Sequence, residues 1–378
     1  MDVGSGSVGM ALVLSDPNLP EPKILWSHRE RMLIRDEDTI NASKKLMATT
    51  ILKAFLELGN DGLRALRQFD KGADVGKIFV SIAAPWSYTV VKTISLGQEK
   101  EFLVTKKLLE ELINKAALEG EESANKDALT KKLSLAQIGT ETISVSVNDY
   151  VTRDPLNNEA KKITLTQLTE LVESSLLEAL QSAAGKILPS AKLLPNTFMA
   201  TYYSALDELK PDTSEICLVD ITAEATELGI VRNNVLEHVT HVPFGSYTIA
   251  RKIAAATTTL KEEALGYLRE NSIDTLKALS ESKREKLNAV VEEYESAISD
   301  LFKRTGDALS IPKTIFLHTD AATENFFQTQ LKEAAKKTTG AEHKVHLVTS
   351  KYFKEPGNHD SAILLSAYVF HKELTRRS

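Results

Sequence analysis

The densest chemical signal lies at the start of the chain, in Asp2-Val3-Gly4-Ser5-Gly6-Ser7-Val8-Gly9. Glycines at 4 and 6 permit a tight hairpin whose backbone N–H groups face outward, and Ser5 and Ser7 add hydroxyl donors. Such a loop can cradle phosphate oxygens, and an aspartate at its start can orient Mg²⁺ through water. On composition alone the same residues also read as a flexible Gly/Ser leader. The string fits Gly-x-Gly-x-x-Gly too, but residues 10–14 continue as apolar strand where a dinucleotide fingerprint requires a helix. A second aspartate-led segment, Val219-Asp220-Ile221-Thr222-Ala223-Glu224-Ala225-Thr226-Glu227, repeats the layout: an Asp near a strand end, small residues, then another strand. The two segments hint at two halves of similar construction.

Other chemistries find little support. His28, His238, His241, His318, His343 and His346 show no tight metal-ligand spacing with Cys or carboxylates. No Gly-x-Ser-x-Gly elbow is present for a nucleophilic serine. The single cysteine, Cys217, lies in the apolar run 216–219 and reads as a buried structural thiol.

The elements that must position the two loops alternate. Residues 8–14 and 24–34 read as paired strands, 41–58 as a helix, and 77–83 and 89–95 as strands. Residues 105–118 form an amphipathic helix with Thr105 as its N-cap, and 120–127 a polar surface loop. Strands are expected at 142–147 and 163–165, then a helix over 167–184. Residues 216–220 and 227–231 make a strand pair, and Gly245 opens a helix over 245–256. The Glu-, Lys- and Leu-rich stretch 260–304 is almost wholly helical, with a solvated face favoured over a protein-contact surface. Strands at 314–318 and 345–348 precede a closing helix from about residue 360. This alternation predicts layered α/β structure.

The chain has 378 residues and is 42% hydrophobic and 26% charged, enough for two or three cores. Its 46 basic and 52 acidic residues give a net charge of -6, with no basic stripe, which argues against nucleic acid as a partner. No apolar run spans a membrane and no signal peptide is evident, so a cytoplasmic protein is expected.

With these segments in order, the chain resembles the actin-like ATPases, and within them the FtsA/PilM branch. Residues 2–8 resemble the first phosphate loop of that superfamily, and 219–228 its second. His241-Val242-Pro243-Phe244-Gly245-Ser246-Tyr247 is similar to the segment that follows in FtsA, and Leu260-Lys261-Glu262-Glu263-Ala264 to the helix near the nucleotide base. Residues 200–206 and 361–368 resemble the two connecting helices. Residues 102–119 and 150–157 resemble parts of a small subdomain special to this branch. The resemblance implies an α/β, actin-like (ribonuclease H-like) two-domain fold with an FtsA/PilM-type inserted subdomain. Its parts would be domain I at 1–85 and 164–209, the insert at 86–163, domain II at 210–256 and 311–378, and a helical subdomain at 257–310. It implies ATP with Mg²⁺ held by Asp2, Gly4, Ser5, Gly6, Ser7, Asp220, Thr222, Thr226, Gly245 and Glu263, with Asp2 and Asp220 on the metal side.

The pattern is broken at several points. Thr222, Ala223 and Glu224 stand where the second loop normally has glycines, and Glu224 opposes an anion. Thr319 and Asp320 replace a Gly-Gly pair against the adenosine. The nearest match to a water-positioning carboxylate or amide is Thr197, a poor general base. Only Met1 precedes Asp2, where a central strand should run about five residues before its turn, so either the start lies upstream or the strand is short. Weak ATPase activity at most is expected. By resemblance the function is that of a cytoplasmic scaffold, of a class that can self-polymerise, linking a membrane-associated division machinery to the cell interior. A PilM-like platform protein of type IV pili, a small-molecule kinase and a nucleotide-free interaction module are the alternatives. Residues 370–378 offer little apolar face, so membrane contact is expected only through a partner, a bacterial division or pilus protein.

Overall fold

The computed structural model describes all residues except 36–39, 127–132, 211–212, 271–279, 307–310, 320–321, 355–356 and 377–378. Two five-stranded sheets share one topology. The first contains β1 (Asp2–Val3), β2 (Ser7–Leu14), β3 (Lys23–Arg31), β4 (Lys77–Ile82) and β9 (Lys192–Thr197), in the order β3-β2-β1-β4-β9. The second contains β10 (Ile216–Ile221), β11 (Thr226–Arg232), β12 (Val235–Val242), β13 (Thr314–Thr319) and β14 (Lys344–Leu347), in the order β12-β11-β10-β13-β14. In each, an antiparallel meander of three strands continues into two parallel strands. The parallel strands need helical crossovers. In the first sheet these include α1 (Ile40–Glu57), α2 (Leu63–Phe69) and α4 (Ser174–Ile187). In the second they are α6 (Ser246–Thr257), α7 (Lys261–Glu270), α8 (Glu281–Lys303) and α9 (Glu324–Thr339).

β10 is buried at every position because helices cover both of its faces, which is why Ile216-Cys217-Leu218-Val219 reads as a continuous apolar run. Cys217 is buried as its setting predicts. The β11–β12 hairpin turns on Asn233 and Asn234, both at positive φ, the geometry that matches hairpin twist and that Asn tolerates. Between the two sheets run α5 (Phe198–Leu209) and α10 (Ser361–Arg376). Phe198, Tyr202, Leu206, Leu365 and Tyr368 form a shared core there with Phe79, Leu218 and Phe316 of the strands.

A third sheet is inserted after β4. It contains β5 (Ser87–Leu103), β6 (Leu135–Val147), β7 (Tyr150–Val151) and β8 (Glu159–Glu173), in the order β5-β8-β6-β7, with α3 (Lys106–Lys126) packed on it. Two expectations fail here. Residues 120–126 continue α3 instead of forming a loop, and residue 127 lies outside the described residues. Ala116, Gly120 and Ala124 recur every four residues and are buried, so the helix keeps a small-residue face on the sheet. Residues 167–173 are strand instead of helix. The apolar positions 165, 168, 171 and 172 mimic helical spacing, but β8 is a central strand paired on both sides, and tertiary pairing overrides local preference. The helix starts only at Ser174, where Glu173 accepts from the Leu176 N–H as N-cap. Thr105 does cap α3, accepting from Leu108 N–H at 3.2 Å. Among the described residues no helix is long and apolar enough to cross a membrane.

Candidate functional site

Asp2 and Asp220 occupy equivalent places, each on the middle strand of its sheet. Each meets a basic side chain from a strand of that sheet. Asp2 lies opposite Gly9 on β2, and Gly9 opposite Arg29 on β3, so the three form one row. A Cβ at Gly9 would stand 2.6 Å from an Arg29 nitrogen, so glycine is what lets the guanidinium lie across the row. Arg29 donates from Nη2 to Asp2 Oδ2 at 2.7 Å and from Nη1 to Ser7 Oγ at 2.8 Å. The same group forks onto Asp360, from Nε to Oδ2 at 3.0 Å and from Nη2 to Oδ1 at 2.8 Å. Burial opposes the charge on Arg29, but Asp2 and Asp360 outweigh it and hold the group protonated. Burial likewise pushes Asp360 up, and Arg29 outweighs it and brings the carboxyl below its ordinary range.

On the second sheet the corresponding row is His241, Glu227, Asp220 and His318, all buried. His318 Nδ1 and Asp220 Oδ1 are 2.7 Å apart, and the rings of Phe198 and Tyr202 on α5 pack against His318. Burial raises Asp220 and outweighs the pull of His318, and nearby Asp2 adds to the rise. Glu227 is pushed well above the carboxylate range, by burial first and Asp220 second.

The two loop tips touch. The Ser5 hydroxyl donates to Thr222 Oγ1 at 2.7 Å and accepts from the Glu224 backbone N–H at 2.7 Å. The Thr222 hydroxyl passes on to the Ala84 carbonyl at 3.1 Å. Gly6 lies so close to the second loop that a Cβ would stand 2.5 Å from Ala223 Cβ. Gly4 N–H donates to Ser7 O, and Gly6 O accepts from Met32 N–H. At the head of α6, a Cβ on Gly245 would stand 2.4 Å from Thr222 O. Ser246 N–H and Tyr247 N–H donate to the carbonyls of Thr222 and Ala223, so helix-terminal donors that suit an anion are spent on the chain itself. The Glu224 carboxylate takes Arg251 in a two-pronged pair at 2.7 and 2.5 Å, and Thr248 at 2.9 Å.

Asp2, Gly4, Ser5, Gly6, Ser7, Asp220, Thr222 and Gly245 thus gather along one seam. Thr226 turns away from it: its hydroxyl donates to Phe244 O at 2.8 Å and meets Tyr294 in the core beneath. Glu263 on α7 accepts from Tyr267 and lines an open cavity of about 830 Å³ with Arg251, Thr259, Lys261 and Lys283. Thr319 ends β13 in a buried position, and Asp320 lies outside the described residues. A polyphosphate with its Mg²⁺ does not fit this seam. The Ser5–Thr222 and Gly6–Ala223 contacts take the space, and Arg29 takes the charge of Asp2. Among the described residues no three His, Cys, Asp or Glu side chains group to hold a metal.

Three residues of this region carried no local signal. Arg29 and Asp360 are 331 positions apart in the chain and meet only through the fold. Glu170 was hidden by the helical reading of its segment. It accepts at Oε2 from Thr197 N–H at 2.5 Å and from the Thr197 hydroxyl at 2.9 Å, at the N-cap of α5. Burial raises its carboxyl, the Thr197 bonds pull it down, and Glu141 and Glu373 push it up, leaving it at about 7.

No family model matches the sequence, and no curated protein matches it. Solved structures do match in three dimensions. The PilM–PilN type IV pilus biogenesis complex has a chain similar at TM-score 0.58 and 13% identity, over 98% of this chain and 96% of that one. A Bacteroides thetaiotaomicron protein with an actin-like ATPase fold is similar at TM-score 0.40 and 8% identity, over 98% and 93%. The ROK hexokinase of Thermus thermophilus is similar at 0.41 and 10%, over 100% and 98%. The last two are too remote to carry weight. At such identities the likeness establishes architecture alone: the chain has the actin-like ATPase fold.

Proposed function

We propose that this chain is a scaffold of the actin fold that works by holding protein partners at the cytoplasmic face of a membrane, and that it does not turn over ATP. The observation that carries this reading is the direct bonding of the two loops, Ser5 to Thr222 and to the Glu224 N–H, where phosphates would lie between them. With that seam closed, what remains of the fold is a pair of sheets and an inserted third sheet. A PilM-like place in a pilus platform is the preferred form of this reading, supported by the likeness to the PilM–PilN complex at TM-score 0.58 over 98% of this chain and 96% of that one. Its partner would then be a membrane protein of that assembly, and neither a membrane anchor nor self-polymerisation is required of the chain. A small-molecule kinase is disfavoured: it needs a carboxylate base facing a bound phosphate donor, and of the seam carboxylates Asp2, Glu224 and Asp360 are paired to arginines and Asp220 to His318.

One observation favours a second reading, weak adenosine binding without catalysis. Glu263, on the stretch that resembles the helix near the nucleotide base, lines an open cavity. Equilibrium titration with a fluorescent ATP analogue and Mg²⁺, paired with a phosphate-release assay, separates the two. No binding, or millimolar binding without release, is expected. Micromolar binding with steady release sinks the scaffold reading.

A further inference from the structure

We propose that Arg29 is a resident cation: its guanidinium takes the place that a divalent ion would hold at Asp2, so the two halves of the molecule close without any bound ligand. The inference deepens the scaffold reading and rests on it for the absence of nucleotide, but it concerns what holds the seam shut.

The geometry is that of a built ion site with the ion supplied by the chain. A divalent ion in this setting would be ringed by carboxylate, hydroxyl and water oxygens. Arg29 is ringed by Asp2, Ser7 and both oxygens of Asp360, through four hydrogen bonds of 2.7–3.0 Å. All three of its nitrogens are used, which the planar fork of arginine allows and the point charge of lysine does not. The Arg29 and Asp2 side chains are only 11% and 4% exposed, so water does not replace either partner. Gly9 also prepares the site for the guanidinium, since its missing side chain leaves the path open.

The consequence reaches across the molecule. Asp360 Oδ1 also accepts from Ile363 N–H at 3.0 Å, so the grip of Arg29 fixes the head of α10. α10 in turn packs on α5 between the sheets. Through Ser7, Arg29 holds the base of the first loop, whose tip bonds to Thr222 and Glu224 across the seam. Loop, connecting helix and seam therefore share one cation.

The test is thermal unfolding of the intact chain and of Arg29→Ala and Arg29→Lys. Each is measured in EDTA, in MgCl₂ at about 10 mM and in methylguanidinium chloride at a similar concentration. The native chain is expected to melt at the same temperature in all three. Arg29→Ala should melt roughly 5–10 °C lower, since it leaves Asp2 buried and unpaired. It should regain at least half of that loss with methylguanidinium or Mg²⁺, and Arg29→Lys should fall between. The proposal is overturned if EDTA lowers or Mg²⁺ raises the melting temperature of the native chain, a result that stands even if the variants fail to fold. It is equally overturned if Arg29→Ala melts with the native chain, or melts lower and neither cation restores it. These outcomes are independent of the ATP titration: micromolar ATP binding with steady phosphate release by the native chain refutes the scaffold reading, whereas an indifferent Arg29→Ala refutes only the resident cation.

Discussion

Glu170→Gln should stabilise the protein at alkaline pH and do little at acidic pH. Glu170 sits on β8 against the N-cap of α5, 8% exposed, with Oε2 bonded to both the N–H and the hydroxyl of Thr197. Its carboxyl lies at about 7 in the fold against 4.5 in the unfolded chain. A carboxyl raised by folding is ionised more readily by the unfolded chain, so the fold loses stability as pH climbs from 4.5 towards 7 and the loss is complete above 7. At about 1.4 kcal/mol per pH unit the full penalty is about 3 kcal/mol. Glutamine has the same shape, keeps an acceptor for Thr197, and carries no charge to desolvate. Urea denaturation of both proteins at pH 5 and pH 8 measures the difference. The variant should gain about 2–3 kcal/mol relative to the native chain between those two conditions. A gap that does not move with pH, or one that moves towards the native chain, refutes the argument that burial at the head of α5 holds this carboxyl neutral.

Other predictions concern the seam and the core. Gly245→Ala places a Cβ 2.4 Å from Thr222 O, where only backbone movement can make room, and should cost about 1–3 kcal/mol in a urea melt. Ser5→Ala removes the acceptor for Glu224 N–H and the donor to Thr222, and should cost about 1–3 kcal/mol, read the same way. Cys217 is fully buried on β10, and burial pushes its thiol well up. It should react with a thiol reagent such as DTNB only at the rate of unfolding, and rapid reaction in the native state would contradict its placement.

How much of this was legible in the sequence differs from element to element. The strand pair at 216–231 was plain because a strand covered on both faces must be apolar throughout. The 167–173 strand was not, because its apolar positions satisfy a helical period as well as an extended one. Only its two neighbours, β5 and β6, decide between them. Residues 120–126 read as loop from their polarity, yet the buried side of α3 there needs only small residues such as Ala124, which carry little hydrophobic signal. The second loop's departures from glycine at 222–224 were visible as departures. What Thr222 and Glu224 do instead was not, since their partners are Ser5, more than two hundred residues away, and Arg251.

By itself, the sequence determined the alternation of strands and helices, the burial of Cys217, and the two aspartate-led loops of like construction. These follow from local periodicity and from residue types that act within a few positions of one another. The tertiary structure alone decided that the loops bond to each other and that Arg29 reaches Asp2 across Gly9 and grips Asp360. The reason is distance along the chain. Hydrogen bonds and ion pairs act over about 3 Å, and which charges come that close is set by strand order and register, which no short stretch of sequence encodes.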